Sequence, residues 1–136
     1  EVVTDVRRLL WEKLAVNAAI NPTTALARVE NGALTSPPLS DLARTAAVET
    51  ARVARVDGAA LSDADAADAV ERVVRETADN HSSMHRDVAR GRRTEVDAIN
   101  GYVVDRAVAA DLAVPVNRTL AALVRGLEAT ADRREE

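Results

Sequence analysis

Lys13, Asn17 and Asn21 sit four residues apart in the run KLAVNAAINP, separated by triplets of Leu, Ala, Val and Ile. On a helix, each four-residue step turns the position by only about 40°, so the three polar side chains form one column on an otherwise apolar rod. Asparagine is a mediocre helix former, and a buried amide costs free energy without partners. Two Asn and a Lys in this setting are placed for something they bind. Lys13 is also the only lysine; the other seventeen basic residues are arginine. Unlike a guanidinium, an ammonium has a pKa that its surroundings can adjust, and a composition that uses arginine everywhere else keeps such a group at this one position. Spacing alone leaves a second reading open, in which Lys13 snorkels from a helix edge and the two Asn hydrogen-bond their neighbours.

The column needs a helix to carry it. Helix one is expected from a cap at Thr4 or Asp5 to about Ile20, with Val6, Leu9, Leu10, Leu14 and Val16 buried and Trp11 as the large anchor. Asn21-Pro22 is expected to break it, and a short second helix to run from Pro22 to about Val29 before an Asn31-Gly32 turn. Ser36 or Ser40 can cap a long helix to about Val56, closed by Asp57-Gly58. Ser62 opens the next, to about Ala78, with Ala66, Ala69, Val70, Val73 and Val74 on its apolar face. A polar break at Asn80-His81-Ser82-Ser83 precedes a short helix from Met84 to Ala89, stopped at Gly91. Thr94 is expected to cap a helix from Glu95 to about Leu112, with Asp97 completing a capping box. Pro115 ends that stretch, Asn117 can cap a last helix to about Ala131, and the charged tail from Asp132 is expected to fray.

Composition sets the class. The 136 residues suit one domain, and nearly half are apolar, chiefly Ala, Val and Leu, with one Trp, one Tyr and no Phe. This predicts an all-α fold with small, closely packed interfaces. A net charge of −4 and a lone short basic cluster at Arg90, Arg92 and Arg93 argue against nucleic acid as a partner. The acid excess and the arginine bias suit a salt-adapted or GC-rich source. The absence of cysteine fits a cytoplasmic, reducing setting, and no apolar run approaches the roughly 20 residues of a membrane span. A chain that starts at Glu1 is expected to be a piece of something longer. His81 and His85 have the spacing of a metal pair, but there is no third His and no Cys, so no metal site is expected.

Four segments taken together carry a resemblance: KLAVNAAINPTTAL (Lys13–Leu26), the Asn31-Gly32 turn, TADNHSSMHRDVARGRRTEVDAINGYVV (Thr77–Val104) and VPVNRTL (Val114–Leu120). In order and spacing the chain resembles the C-terminal helical domain of ketopantoate reductase, an architecture shared with 6-phosphogluconate dehydrogenase-type enzymes. The resemblance covers essentially the whole chain, residues 1–136. It implies an N-terminal Rossmann domain binding NADPH, a cleft, and this domain closing over a small 2-keto acid. No GxGxxG occurs here, so the nucleotide-binding half is expected to lie outside the chain, which alone should be inactive. The implied reaction is hydride transfer to 2-dehydropantoate, giving pantoate for coenzyme A synthesis.

By the same resemblance, Lys13 is the general acid that protonates the carbonyl oxygen as hydride arrives. Reducing a ketone develops alkoxide charge, which a nearby ammonium both stabilises and quenches. Asn17, Asn21, Asn31, Asn80 and Ser83 are implied substrate contacts, and Glu95 the acid facing the nicotinamide ribose. Each has a plainer structural role on offer: a turn at Asn31, a cap at Asn80 or Ser83, and a dipole-favoured acid at Glu95. His85 and Ala33 depart from the family pattern, which has an apolar residue and an acid there. Two other expectations stand beside the leading one: a reductase of a different 2-keto acid, and a stand-alone helical module whose polar column reads a partner helix. Long Ala- and Val-faced helices would also suit a homodimer.

Overall fold

The computed structural model describes the backbone of residues 2–135 and the side chains of residues 6–131. Six α-helices, α1 (Val2–Ala27), α2 (Leu39–Val56), α3 (Asp63–Glu76), α4 (Ser83–Ala89), α5 (Asn100–Ala109) and α6 (Pro115–Glu135), are joined by short connections, two of them 3-10 turns at Asn31–Thr35 and Val96–Ala98. There is no strand among the described residues, and no helix of the structure is long and apolar enough to cross a membrane. The all-α expectation holds.

The expected cap at Thr4 or Asp5 lies outside the described side chains, and α6 continues as helix to Glu135 where fraying was expected. α1 is the spine, packed against α2, α3, α4 and α6. Its side facing the interior is Trp11, Ala15, Ala18 and Ala19, meeting an α2 face of Ala43, Ala46, Ala47, Ala51 and Ala54. Alanine contributes little side-chain bulk, so helices lined with it approach closely, and it is the best helix former. The sequence expectation for this helix fails in one respect. Val6, Leu9 and Leu10 are not core: they are 49%, 59% and 64% exposed. α1 is apolar nearly all round, and the small residues take the inner side.

A second correction concerns Pro22. α1 does not break at Asn21-Pro22 but runs through to Ala27 with the proline inside it. A proline lacks the N–H that would bond the carbonyl four residues back, here that of Ala18. The structure supplies another donor: Asn100 Nδ2 lies 3.0 Å from the Ala18 carbonyl. Asn100, with 0% of its surface exposed, also donates to Asn117 Oδ1 at 3.0 Å. Asn117 Nδ2 donates in turn to the Ala46 carbonyl at 3.1 Å and to Glu49 Oε1 at 3.0 Å. The buried Glu49 carboxylate accepts the Val116 and Asn117 backbone N–H groups at 3.0 and 2.9 Å. A carboxylate on the free N–H groups of a helix's first turn is well placed electrostatically, which offsets its burial. Asn117 thus lies inside α6, with Pro115 at its first turn, and is a node of this network where a cap was expected.

Local signals account for most other ends. Ser62 and Asp65 form a reciprocal capping box at the start of α3. α2 instead begins after Pro38, with no side-chain cap from Ser36 or Ser40. α1, α2, α4 and α5 all close with a residue of positive φ, namely Arg28, Gly58, Gly91 and Asp111. In each case the following N–H bonds a carbonyl five residues back, as in Val29 to Thr24 and Leu112 to Ala107. The helix expected from Glu95 to Leu112 is split: a 3-10 turn at Val96–Ala98 is followed at Ile99 by a non-helical backbone (ψ −93°) before α5 starts. The expected box does not form, because Asp97 is bound to Arg125 Nε at 2.8 Å. Thr94 Oγ1 accepts from the Val96 N–H at 3.2 Å.

At the other end of α1, Asp57 joins three helices. Its carboxylate accepts from Trp11 Nε1 at 2.9 Å and from Arg106 Nη2 at 2.8 Å, while Arg7 Nη1 donates to its carbonyl at 2.8 Å. The Trp11 hydrogen bond and, after it, the Arg106 and Arg7 charges hold the Asp57 carboxyl below the ordinary aspartate value, against the opposing effect of burial.

Two outcomes test these joints. Asn100→Ala strands the Ala18 carbonyl and the Asn117 amide in the interior and should cost about 1–3 kcal/mol in urea denaturation. Asp57→Asn should cost about 1 kcal/mol at pH 7, the pair being partly exposed. Because folding lowers the Asp57 pKa, its contribution is present above the unfolded-state value and is lost as pH falls through the folded-state one. The gap between wild type and Asp57→Asn should therefore close on acidification, read by the same denaturation at stepped pH.

Candidate active site

α1 presents its polar column outward, with Lys13 exposed and Asn17 and Asn21 half-buried, while Ala15, Ala18 and Ala19 behind it are fully buried. The neighbouring acid does not neutralise Lys13. The Glu12 carboxylate is occupied by Arg8 Nη1 at 2.9 Å and Arg72 Nη2 at 3.5 Å. Among the described residues, the Lys13 ammonium makes no ion pair. Two arginines thus hold the acid next to the lysine in sequence, one on each carboxylate oxygen.

The C-terminal part of α1 is fixed to α4 by one buried hydroxyl pair. Thr24 Oγ1 lies 2.7 Å from Ser82 Oγ and also donates back to the Ile20 carbonyl at 2.9 Å. Ser82 caps α4, accepting the His85 N–H at 3.1 Å. The cap is therefore Ser82, and neither Asn80 nor Ser83 fills that role. Ser83, the first residue of α4, is exposed one position beyond a residue locked to the last turn of the column. Thr24 and Ser82 were missed in the sequence; a serine three residues before the His85 N–H was the available signal.

Asn31 and Asn80 come together through backbone. The Asn31 N–H donates to the Asn80 carbonyl and the Gly32 N–H to the Ala78 carbonyl, both at 2.9 Å. A Cβ on Gly32 would stand 2.9 Å from the Ala78 carbonyl oxygen, so only glycine permits this approach. The Asn31 amide nitrogen is committed to Thr77 Oγ1 at 2.9 Å, and its Oδ1 is buried with no partner. Asn31 opens a 3-10 turn, and Asn80 is exposed beside it. The Asn21 turn, Ser83, Asn31 and Asn80 thus belong to one tied region around the C-terminal part of α1.

Glu95 comes from the connection between α4 and α5. Its flanks are fixed, with the Thr94 N–H on Glu128 Oε2 at 2.6 Å and Val96 buried. Its own carboxylate is exposed and makes no cap hydrogen bond. α5, which follows, reaches α1 through Asn100. His81 and His85 stack with ring centroids 4.3 Å apart. Burial, and then the His81 and Arg86 charges, lower the His85 pKa. Among the described residues there is no group of three His, Cys, Asp or Glu that could hold a metal. An ammonium one helical turn from a neutral amide suits a small polar anion, and an ammonium can deliver a proton to a bound oxygen.

The family described as "Ketopantoate reductase PanE/ApbA C terminal" matches residues 5–128. The 2-dehydropantoate 2-reductase of Halobacterium salinarum is 46% identical over 125 residues, which is 91% of this chain and 41% of the relative. That of Archaeoglobus fulgidus is 45% identical over 129 residues, 94% of this chain and 43% of the relative. A crystal structure of a PanE/ApbA family ketopantoate reductase from Ralstonia eutropha superposes with a TM-score of 0.86 at 38% identity, covering 93% of this chain and 43% of that one. The chain spans less than half the length of the curated relatives it matches. On sequence and fold together, it belongs to the ketopantoate reductase family, as the helical C-terminal domain.

Proposed function

We propose that this chain is the substrate-binding, proton-donating half of a reductase that converts 2-dehydropantoate to pantoate in coenzyme A biosynthesis. The observation that carries the reading is the single lysine, which makes no ion pair among the described residues and stands at the head of a column of amides. The names of the relatives, 2-dehydropantoate 2-reductases at 45–46% identity, support the reaction.

In this reading, Lys13 donates to the keto oxygen of the substrate and releases its proton as that oxygen gains charge. Asn17 and Asn21, one and two turns further on, hydrogen-bond the carboxylate and hydroxyl of the acid, with Ser83 and Asn80 contributing from the α4 side. Asn31, held by Thr77 with its Oδ1 buried, shapes the turn beside these residues. NADPH supplies the hydride when bound. This chain has no glycine-rich phosphate loop, so the nucleotide belongs mainly to the N-terminal Rossmann half. The uncommitted Glu95 carboxylate fits that cofactor from this side, as an acceptor for the nicotinamide ribose hydroxyls. Cytoplasmic placement belongs to the same reading. The Staphylococcus aureus structure with a TM-score of 0.84 is described as a dimeric ketopantoate reductase, and pairing of two such enzymes is part of the proposal.

Lys13→Ala in the two-domain enzyme should lower kcat by about 10²- to 10⁴-fold with an unchanged circular dichroism spectrum; a near wild-type rate would remove the proton-donor role. The two serines should separate structure from binding. Ser82→Ala loses a cap and the bond to Thr24 and should cost about 1–2 kcal/mol in thermal unfolding. Ser83→Ala should leave stability within about 0.5 kcal/mol while raising KM for the keto acid.

A further inference from the structure

The joint made by Pro22 and Asn100 falls inside the polar column. The Ala18 carbonyl, deprived of its local donor by Pro22, is filled by the Asn100 amide at 3.0 Å. Ala18 directly follows Asn17, so Lys13 and Asn17 lie before the joint and Asn21 and Thr24 beyond it. Thr24 Oγ1 is in turn 2.7 Å from the Oγ of Ser82, the neighbour of Ser83. Whatever fixes α1 at Ala18 therefore fixes the second group of polar side chains relative to the first.

Apolar packing gives no reason for an amide at this point. Asn100 is wholly buried, and its Oδ1 has no hydrogen-bond partner among the described residues, which costs free energy. A non-proline residue at position 22 would fill the Ala18 carbonyl from its own backbone and leave position 100 free to be apolar. The donor is also braced. Asn100 bonds Asn117, which is held by the Ala46 carbonyl and by Glu49, and Glu49 is anchored on the first-turn N–H groups of α6. Residues of α2, α5 and α6 thus converge on one carbonyl of α1. A hydrogen-bonded chain of this kind sets a position more closely than alanine packed on alanine.

We propose that Asn100 is a positioning residue for the keto-acid site, acting through the Ala18 carbonyl to keep Asn21 and Ser83 in register with Lys13 and Asn17. The proposal rests on the substrate-binding reading above and assigns Asn100 no contact with the reacting atoms. Losing it loosens the geometry in which the acid is held. The proton donor stays in place, because Lys13 stands more than a turn before the joint. The effect therefore falls on KM.

The test is a double-mutant cycle with Pro22→Ala, which returns a backbone N–H to the Ala18 carbonyl, in the two-domain enzyme. Asn100→Ala alone should raise KM for 2-dehydropantoate about tenfold, with kcat within about threefold and its pH profile unmoved. Pro22→Ala alone should leave KM within about twofold, and adding Asn100→Ala to it should raise KM by no more than about twofold again. A role confined to the core predicts otherwise, because the cavity and the stranded Asn117 amide are the same whichever residue stands at position 22. A larger rise in the Pro22→Ala background, or a KM that Asn100→Ala leaves unmoved, overturns the proposal. Should Asn100→Ala alone fail to fold, the double variant decides: a near wild-type KM supports the proposal, and weak binding or failure to fold overturns it. The reading beneath it fails separately. A Lys13→Ala enzyme at wild-type rate removes the proton donor, while coupling in KM still assigns Asn100 its role. Absence of 2-dehydropantoate reduction in the wild type removes the substrate reading itself, and coupling between positions 22 and 100 in urea denaturation tells that result from loss of the Ala18 clamp.

Discussion

The hydrogen bond from the Asn100 amide to the Ala18 carbonyl decides what α1 can be. Pro22 deletes the backbone donor that would normally fill that carbonyl, and a helix interior tolerates such a loss only when another group replaces it. Here the replacement comes from a different helix and is itself held by Asn117 and Glu49. With it in place, the positions of Lys13, Asn17 and Asn21 remain on one continuous helix. The network is also why four helices meet at one buried point in a domain whose core is mostly alanine and valine. Small apolar side chains pack densely but specify little; hydrogen bonds with fixed partners supply the register.

Charge is distributed with the same economy. Glu49 sits on the first turn of α6, Asp57 on the indole and on Arg106, and Glu12 between Arg8 and Arg72. These three acids are matched by fixed donors, and Lys13 is a cation whose nearest acidic neighbour in sequence is already engaged.

Much of the fold was readable because its signals are local. Ser62 with Asp65 starts a helix by chemistry confined to four residues, and Gly58 and Gly91 end helices by their backbone freedom alone. Pro22 misled because the rule it obeys is local while the group that relieves it lies 82 positions away. Asn117 misled in the same way, its expected cap being a long-range node. The outer leucines of α1 were assigned to the core because an apolar pattern cannot say which of two apolar sides faces inward. At the site, the column itself was legible from spacing. The placing of Ser83, Asn31 and Asn80 was not, because it depends on Thr24, Thr77 and a glycine that lets two backbones touch.

The long reach of the Asn100 amide also sets an order of assembly. During synthesis from the N-terminus, α1 leaves the ribosome well before the residue that completes it. Until α5 arrives, the Ala18 carbonyl has only water for a donor, and the turn around Pro22 lacks its clamp. Contacts this distant in sequence pay their loop-closure entropy late. Helix α1 therefore emerges before the residue that completes it, so a truncated or stalled product would carry Lys13 on a helix whose Pro22 turn is still unclamped.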